Sequence, residues 1–192
     1  MGIATVIPAD TFEQIQTNAG CLLWAFDPRN PKIENENVIC PTTGGITVNC
    51  VPDSMDLGED VDNCPNNLLE LKKLTGYNCS IEFTSLGTSL KSIALALGAA
   101  DIDDEAESVT PRLDLKVSDA KDIWWVGDRA DGGLVAVVLK RAISTSGVSL
   151  KTTKDGKGQT STTLTGHTTV ETQNEVPMVF YSISPSKLEG TA

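Results

Sequence analysis

Residues 76–100, "GYNCSIEFTSLGTSLKSIALALGAA", change period in the middle. From Tyr77 to Phe83 the pattern repeats every two residues. Tyr77, Cys79, Ile81 and Phe83 share one face, and Asn78, Ser80, Glu82 and Thr84 the other. That alternation is a half-buried strand. After Leu86 the spacing becomes helical, with Leu90, Ile93, Ala94 and Leu97 in one stripe. Thr88 or Ser89 can accept from the first free N–H groups, and Gly98 can end the turn. A helix is predicted over about 88–98. It is the only helix the sequence signals clearly, so the fold class depends on what the flanking segments add.

They add strands. Upstream, "TTGGITVNCV" (42–51) places Ile46, Val48 and Cys50 in alternation with Thr47 and Asn49, and "CLLWAF" (21–26) is a short apolar run stopped by "DPRNP". Downstream, "KDIWWVGD" (121–128), "GLVAVVLKRA" (133–142), "GVSLKTT" (147–153), "GQTSTTLTGHTTV" (158–170) and "VPMVFYSI" (176–183) all carry strand signals. Asp155-Gly156 marks a hairpin. Residues 101–112, "DIDDEAESVTPR", are read as a charged connector. The expected architecture is mainly β: two packed antiparallel sheets, as a sandwich or partial barrel, with one flanking helix. Ile81, Phe83, Trp124, Leu90, Ile93 and Leu97 are the predicted core. Trp124 and Trp125 are adjacent, so a strand would send them to opposite faces.

The chain has 192 residues, which suits one domain over 1–192. An N-terminal arm (about 1–20), to be pinned by Phe12 and Ile15, and a C-terminal tail (about 184–192) flank it. Net charge is −11, which argues against a surface that binds nucleic acid by neutralising phosphates. No run of 18 apolar residues spans a membrane. The first residues have no basic segment ahead of a long apolar one, so no secretory signal is expected. Five cysteines at irregular spacing read as free thiols rather than a disulfide framework.

Two stretches fit no ordinary strand. The first is "PDSMDLGEDVDNCPNNLLELKKL" (52–74), with Asp53, Asp56, Glu59, Asp60 and Asp62 inside ten residues. A calcium loop needs oxygen ligands at positions 1, 3 and 5 and glycine at 6. From Asp53 those positions hold Met55 and Leu57; from Asp60 they hold Cys64 and Pro65. Zinc is no better served, because the cysteines stand 10 or more residues apart and His167 is the sole histidine. The stretch is therefore a solvated loop or a contact surface. The second is 158–170, polar on both faces. It reads as an exposed edge strand, or as one whose outer face meets water in a lumen or another subunit.

No nucleophile elbow, zinc-protease helix, phosphate loop or dinucleotide fingerprint occurs. His167 sits among threonines and has no partner that would make it a catalytic base. No enzyme activity, catalytic residue, metal or cofactor is expected.

The stretches "TTGGI", "DLGEDVDNCPNNLLELKKL", "TPRLDL…DIWWVGD", "GGLVAVVLKRAISTSG" and "GKGQTSTTLTGHTT…VPMVFY", in that order over about 42–181, resemble the major tail proteins of long-tailed bacteriophages of Gram-positive hosts. The resemblance implies a tail tube fold. Six copies form a ring whose sheets join into a barrel, and rings stack into a channel for DNA ejection. It implies that a loop at about 53–75 reaches the next ring, with Asp53, Asp56, Glu59, Asp60, Asp62, Leu68, Leu69 and Leu71 as contacts. It implies a lumen or subunit-seam strand carrying Gln159, Ser161, Thr163, Thr165 and His167. The implied partners are other copies of the chain and the tape measure, tail-tip and tail-terminator proteins. DNA passes without specific binding, and no membrane is involved. The protein would be made in the host cytoplasm and end in the virion tail. Six copies at −11 each would carry −66, a charge that repels DNA phosphates. The tube of a phage-tail-like bacteriocin or secretion apparatus, and a secreted β-sandwich binding module, are the alternatives.

Overall fold

The computed structural model describes residues 7–8 and 10–188. The ends of the expected arm and tail, 1–6 and 189–192, lie outside the described residues.

The fold is mainly β. It has a large antiparallel sheet, a small two-stranded one and one helix. The strands are β1 (Cys21–Leu23), β2 (Thr42–Asp56), β3 (Lys72–Ser85), β4 (Ala100–Asp103), β5 (Ser108–Pro111), β6 (Lys121–Asp128), β7 (Leu134–Ser144), β8 (Ser149–Lys151), β9 (Gln159–Gly166) and β10 (Met178–Ile183), with α1 (Leu90–Leu97) after β3. The large sheet runs β1-β6-β7-β9-β3-β2, with β10 also on β7 and β8 also on β9.

The two expected layers are two halves of this one sheet, and β7 belongs to both. Leu134–Leu139 pairs with β10, whereas Ala142–Ser144 pairs with β9 on the same edge. Between them Arg141 takes a left-handed φ of 50°, and its N–H is taken up by Asp122 Oδ1 at 2.8 Å. Such a bulge bends a strand. The bend lets Cys79, Ile81 and Phe83 of β3 and Leu164 of β9 share one buried cluster with Leu22, Ile123, Val137, Leu139 and Met178.

The half-sheet β1-β6-β7-β10 is apolar on its other face as well. Leu23, Phe26, Val126, Ala136 and Ile183 form a second cluster there. Trp125 covers the first cluster and Trp124 the second, so the adjacent tryptophans do split between faces. Both are half-buried rather than fully buried. Trp124 packs between Phe26 and Tyr181, with ring centroids 5.6 Å away on each side.

Ser89 is the residue that caps α1, accepting from Ser92 N–H, and Gly98 ends it at φ 82°. The buried face differs from the expected one. Ser92, Leu95 and Ala96 are buried, while Leu90, Ile93 and Leu97 are half-buried on the flanks. Two of the three buried side chains, Ser92 and Ala96, are small. An almost wholly apolar helix does not advertise which stripe that will be.

Residues 101–112 are not a plain connector. β4 and β5 pair as a ribbon, with Ile102 opposite Val109 and the turn held by Asp103, whose Oδ1 accepts from the N–H groups of Glu105 and Ala106. Near the N-terminus the chain is held by hydrogen bonds, some through the Asn18 and Trp125 side chains, and not by Phe12 and Ile15, which are exposed. Thr17 N–H donates to Asp128 O, and Ala130 N–H to Ile15 O.

Candidate functional site

Two features are left over once the core is accounted for: a projecting hairpin and a polar sheet face. The hairpin is β2 with β3. Its lower part is ordinary sheet. Ile46, Val48 and Cys50 lie against the core, opposite Phe83, Ile81 and Cys79. Above Cys50 and Cys79 none of the strand residues is buried. β9 supports β3 only over Ser80–Ser85, so from Val51 and Asn78 outward the ribbon is two strands wide. Six strand residues, 51–56, carry it about 20 Å from the body. Val51, Met55, Leu57, Val61, Leu68, Leu69, Leu74 and Tyr77 are all exposed along it.

The expected loop at 53–75 is thus ribbon at both ends, over 53–56 and 72–75, and the irregular part is 57–71. Ser54↔Leu74, Met55↔Lys73 and Asp56↔Lys72 are paired, past a bulge at Thr75. The alternation there is weak because neither face has a core to meet.

The tip is folded on itself. Asp60, Asn63 and Asn67 take left-handed φ values of 62°, 60° and 68°, which suits Asn and Asp. Asp56 organises it: its carboxylate accepts from Gly58 N–H at 2.9 Å and Asn67 N–H at 3.3 Å. Gly58 is buried, and a Cβ there would stand 2.8 Å from Leu71 and 3.0 Å from Cys64 Sγ. Of the expected contact residues, Asp53, Glu59, Asp60, Asp62, Leu68 and Leu69 are exposed. Asp56 and Leu71 are half-buried inside the tip and hold its shape. Residues 53–75 carry six carboxylates and two lysines, a net charge of −4. Among the described residues none of those carboxylates is in an ion pair.

The polar face belongs to the half-sheet β2-β3-β9-β8. β9 is not an edge strand, as an exposed-edge reading of 158–170 would have it. β3 fills one side, and β7 and β8 fill the other. Its inward residues are Thr162 and Leu164, both buried, so a threonine stands where a core aliphatic was looked for. Its outward residues are Gln159, Ser161, Thr163 and Thr165. They continue rows across the sheet: Thr47–Glu82–Thr163, Asn49–Ser80–Thr165 and Thr43–Thr84–Ser161–Ser149. Glu82 is the one charged group in those rows, and Asn49 donates to it at 3.0 Å.

His167 lies outside the rows. β9 ends at Gly166, where a Cβ would fall 2.6 Å from Leu139 Cδ1. His167 is exposed beyond that point, and its carbonyl accepts from Arg141 Nε at 2.7 Å. Sequence reasoning put it on the strand because Thr-rich residues continue past the glycine.

A groove of about 510 Å³ lies between α1, β4 and the turn at Val117–Asp119. Lys91 and Lys121 face Glu36 and Asp119 around it, so it offers no net charge to a ligand. Among the described residues no group of three His, Cys, Asp or Glu side chains is placed to hold a metal ion. No helix of the described residues is long and apolar enough to cross a membrane.

No known family profile matches the sequence, and no curated protein does. A chain from the virion of a native gene transfer agent particle aligns over 85 % of this chain and 95 % of its own length, at 9 % identity and a TM-score of 0.39. A score that low does not establish a shared fold, and no property is carried over from that chain.

Proposed function

We propose that the protein is a structural subunit of a virion, and within it of a tail tube like those of long-tailed bacteriophages. Six copies close a ring, rings stack, and DNA leaves through the channel. The observation that carries this reading is the β2–β3 arm. A two-stranded ribbon without a covering layer is marginal in water, and this one exposes apolar side chains along its whole length. It makes sense as a segment that is covered on assembly.

Two further features support the reading. β2 offers a fifteen-residue strand with one edge unpartnered among the described residues, and β8 closes the other side of the same half-sheet with three residues. Free edges invite pairing with another chain. A head-to-tail pairing of two different edges gives a ring when the rotation closes. The hydroxyl rows of β2, β3, β9 and β8 would then line the channel. They give phosphates a single cation, Lys151 opposite Gln159 at the β8 edge, and Glu82 repels them.

The partners on this reading are neighbouring copies and the tape measure, tail-tip and tail-terminator proteins. The protein works as part of the virion tail and not as an enzyme. Electron microscopy of concentrated protein tests the assignment. Rings or tubes on the order of 10 nm across are expected for six subunits of this size. A monomer at every concentration and salt, with no polymer in the presence of tail partners, refutes it.

A further inference from the structure

We propose that Cys50 and Cys79 are a redox-modifiable pair that closes to a cross-strand disulfide at the root of the arm, with a small-molecule disulfide as oxidant. The pair stands directly opposite in the β2–β3 register. The two Sγ atoms lie 3.5 Å apart, the only thiol–thiol contact among the described residues. Directly opposed residues of antiparallel strands have Cα atoms about 4.5–5.5 Å apart, inside the range of about 4.4–6.8 Å that a disulfide spans. Closing the gap between the sulfurs needs side-chain rotation and no movement of the strands.

The remaining three thiols are not so placed. Cys21 and Cys64 are half-buried, and Cys40 is buried; among the described residues none of them is in contact with another thiol. The two members of the pair also differ in access. Cys50 is half-buried and reachable, whereas Cys79 is 1 % exposed. Burial pushes the Cys79 thiol up to about 12, and the neighbouring Cys50 adds to the shift. Cys50 is therefore the group that meets an oxidant and Cys79 the one that resolves.

The steps balance with glutathione disulfide as the oxidant. The Cys50 thiolate attacks one sulfur of the oxidant, forming a mixed disulfide and expelling one glutathione thiolate, which takes up a proton. Cys79 then loses its proton to solvent and attacks Cys50 Sγ, expelling the second glutathione. Two protein thiols become one disulfide, and one glutathione disulfide becomes two glutathiones. Such a bond is disfavoured in a reducing cytosol and favoured outside it.

Position gives the bond its consequence. Cys50 and Cys79 are the last residues of the ribbon that touch the core; every pair from Val51↔Asn78 to Asp56↔Lys72 lies beyond them. A covalent link at this level ties the arm where the sheet stops supporting it. The inference concerns the isolated chain and stands whether or not it builds tubes.

The test uses the full chain, folded, in buffers of stepped oxidised-to-reduced glutathione ratio, quenched by alkylation and read by mass spectrometry. The expected result is loss of two thiols in one step, with peptides bearing Cys50 and Cys79 linked and the other three cysteines alkylated. Cys50→Ser is expected to abolish the step, and Cys64→Ser to leave it unchanged. Amide exchange at residues 51–56 and 72–78 is expected to slow by about tenfold in the oxidised form. A mixed disulfide that persists on Cys50, a link to any other cysteine, or no reaction short of unfolding overturns the proposal. A disulfide that forms without slowing exchange overturns the stapling role.

Discussion

The two acidic hairpins of this chain have opposite fates. The β4–β5 ribbon carries five carboxylates within residues 100–111 and lies against α1. Arg112, at its end, is almost buried and reaches Asp101 at 2.9 Å, Asp119 at 2.6 Å and Asp114 at 3.7 Å. The β2–β3 arm carries six carboxylates within residues 53–75, lies against nothing and has no such arginine. Acidity alone did not decide between them. What decided is whether the apolar residues between the acids have somewhere to go. Val109 is half-buried beside the helix, with Ile102 opposite it still 42 % exposed, whereas Leu69, Leu74 and Met55 are more exposed and have no helix beside them. On the reading proposed above, the exposed apolar side chains of the arm are covered by a neighbouring copy.

The sharpest way to break that comparison is to remove one hairpin. Asp53 and Gly76 are directly opposed, so an Asn-Gly turn can replace residues 54–75 between them. Surface-loop shortening changes closure entropy little, roughly 0.6 kcal/mol per halving. The shortened chain is expected to keep its circular dichroism spectrum and an unfolding midpoint close to the parent, and to lose all tubes under the electron microscope. If the body unfolds, the arm belongs to the core; if tubes persist, the arm is not the assembly contact.

A smaller effect sharpens the boundary within β3 and its approach. Ile81, fully buried, and Leu69, 80 % exposed, stand on the two sides of it. Ile81→Ala removes a side chain from the main cluster and is expected to cost about 2–5 kcal/mol in denaturant unfolding. Leu69→Ala is expected to change stability by no more than about 0.5 kcal/mol. Equal losses at both sites would mean that the arm tip packs on the body in solution.

The same contrast shows what was legible beforehand. Where a strand has one face on the core, as at Cys79, Ile81 and Phe83, alternation located it and gave its inward face. The β6 tryptophans were split correctly for that reason. Ranges failed where the sheet outruns the core, as at 52–56 and 72–75, because pairing there rests on backbone hydrogen bonds with no side-chain signal. The β4–β5 ribbon was missed because one apolar residue per strand is too little for a period. β9 looked like an edge because Thr162, buried at 3 %, reads as polar in sequence. The stripe of α1 was placed wrongly because Ser92 and Ala96 pack by being small, which hydropathy does not register. Cys50 and Cys79 could have been paired in sequence only by fixing the register of a ribbon whose outer half was invisible.

The smallest expected effect concerns the hairpin that is tied down. Asp119 accepts from Lys116 N–H at 2.9 Å and from Arg112 Nη2 at 2.6 Å. The Lys116 N–H is the larger cause and the Arg112 guanidinium the next, and together they hold its carboxyl below the usual carboxylate value against the opposing effect of burial. A carboxylate whose folded pKa is depressed contributes stability that is complete above its unfolded value, about 3.9. That contribution is lost as pH falls through the lower folded value. Asp119→Asn removes the charge and with it this dependence. The native chain is therefore expected to be slightly more stable than the variant from pH 7 down to about 4, with the gap closing below that as Asp119 takes up its proton. Glu59, Asp60 and Asp62 at the arm tip are exposed and in no ion pair among the described residues, so neutralising them together is expected to change monomer stability at pH 7 by no more than about 0.5 kcal/mol. Thermal unfolding of the native and Asp119→Asn chains between pH 7 and 2.5 reads the difference directly. A gap that stays constant to pH 2.5 would mean that the carboxylate's charge does not tie the β4–β5 ribbon to its turn, and that the two acidic hairpins differ in packing alone.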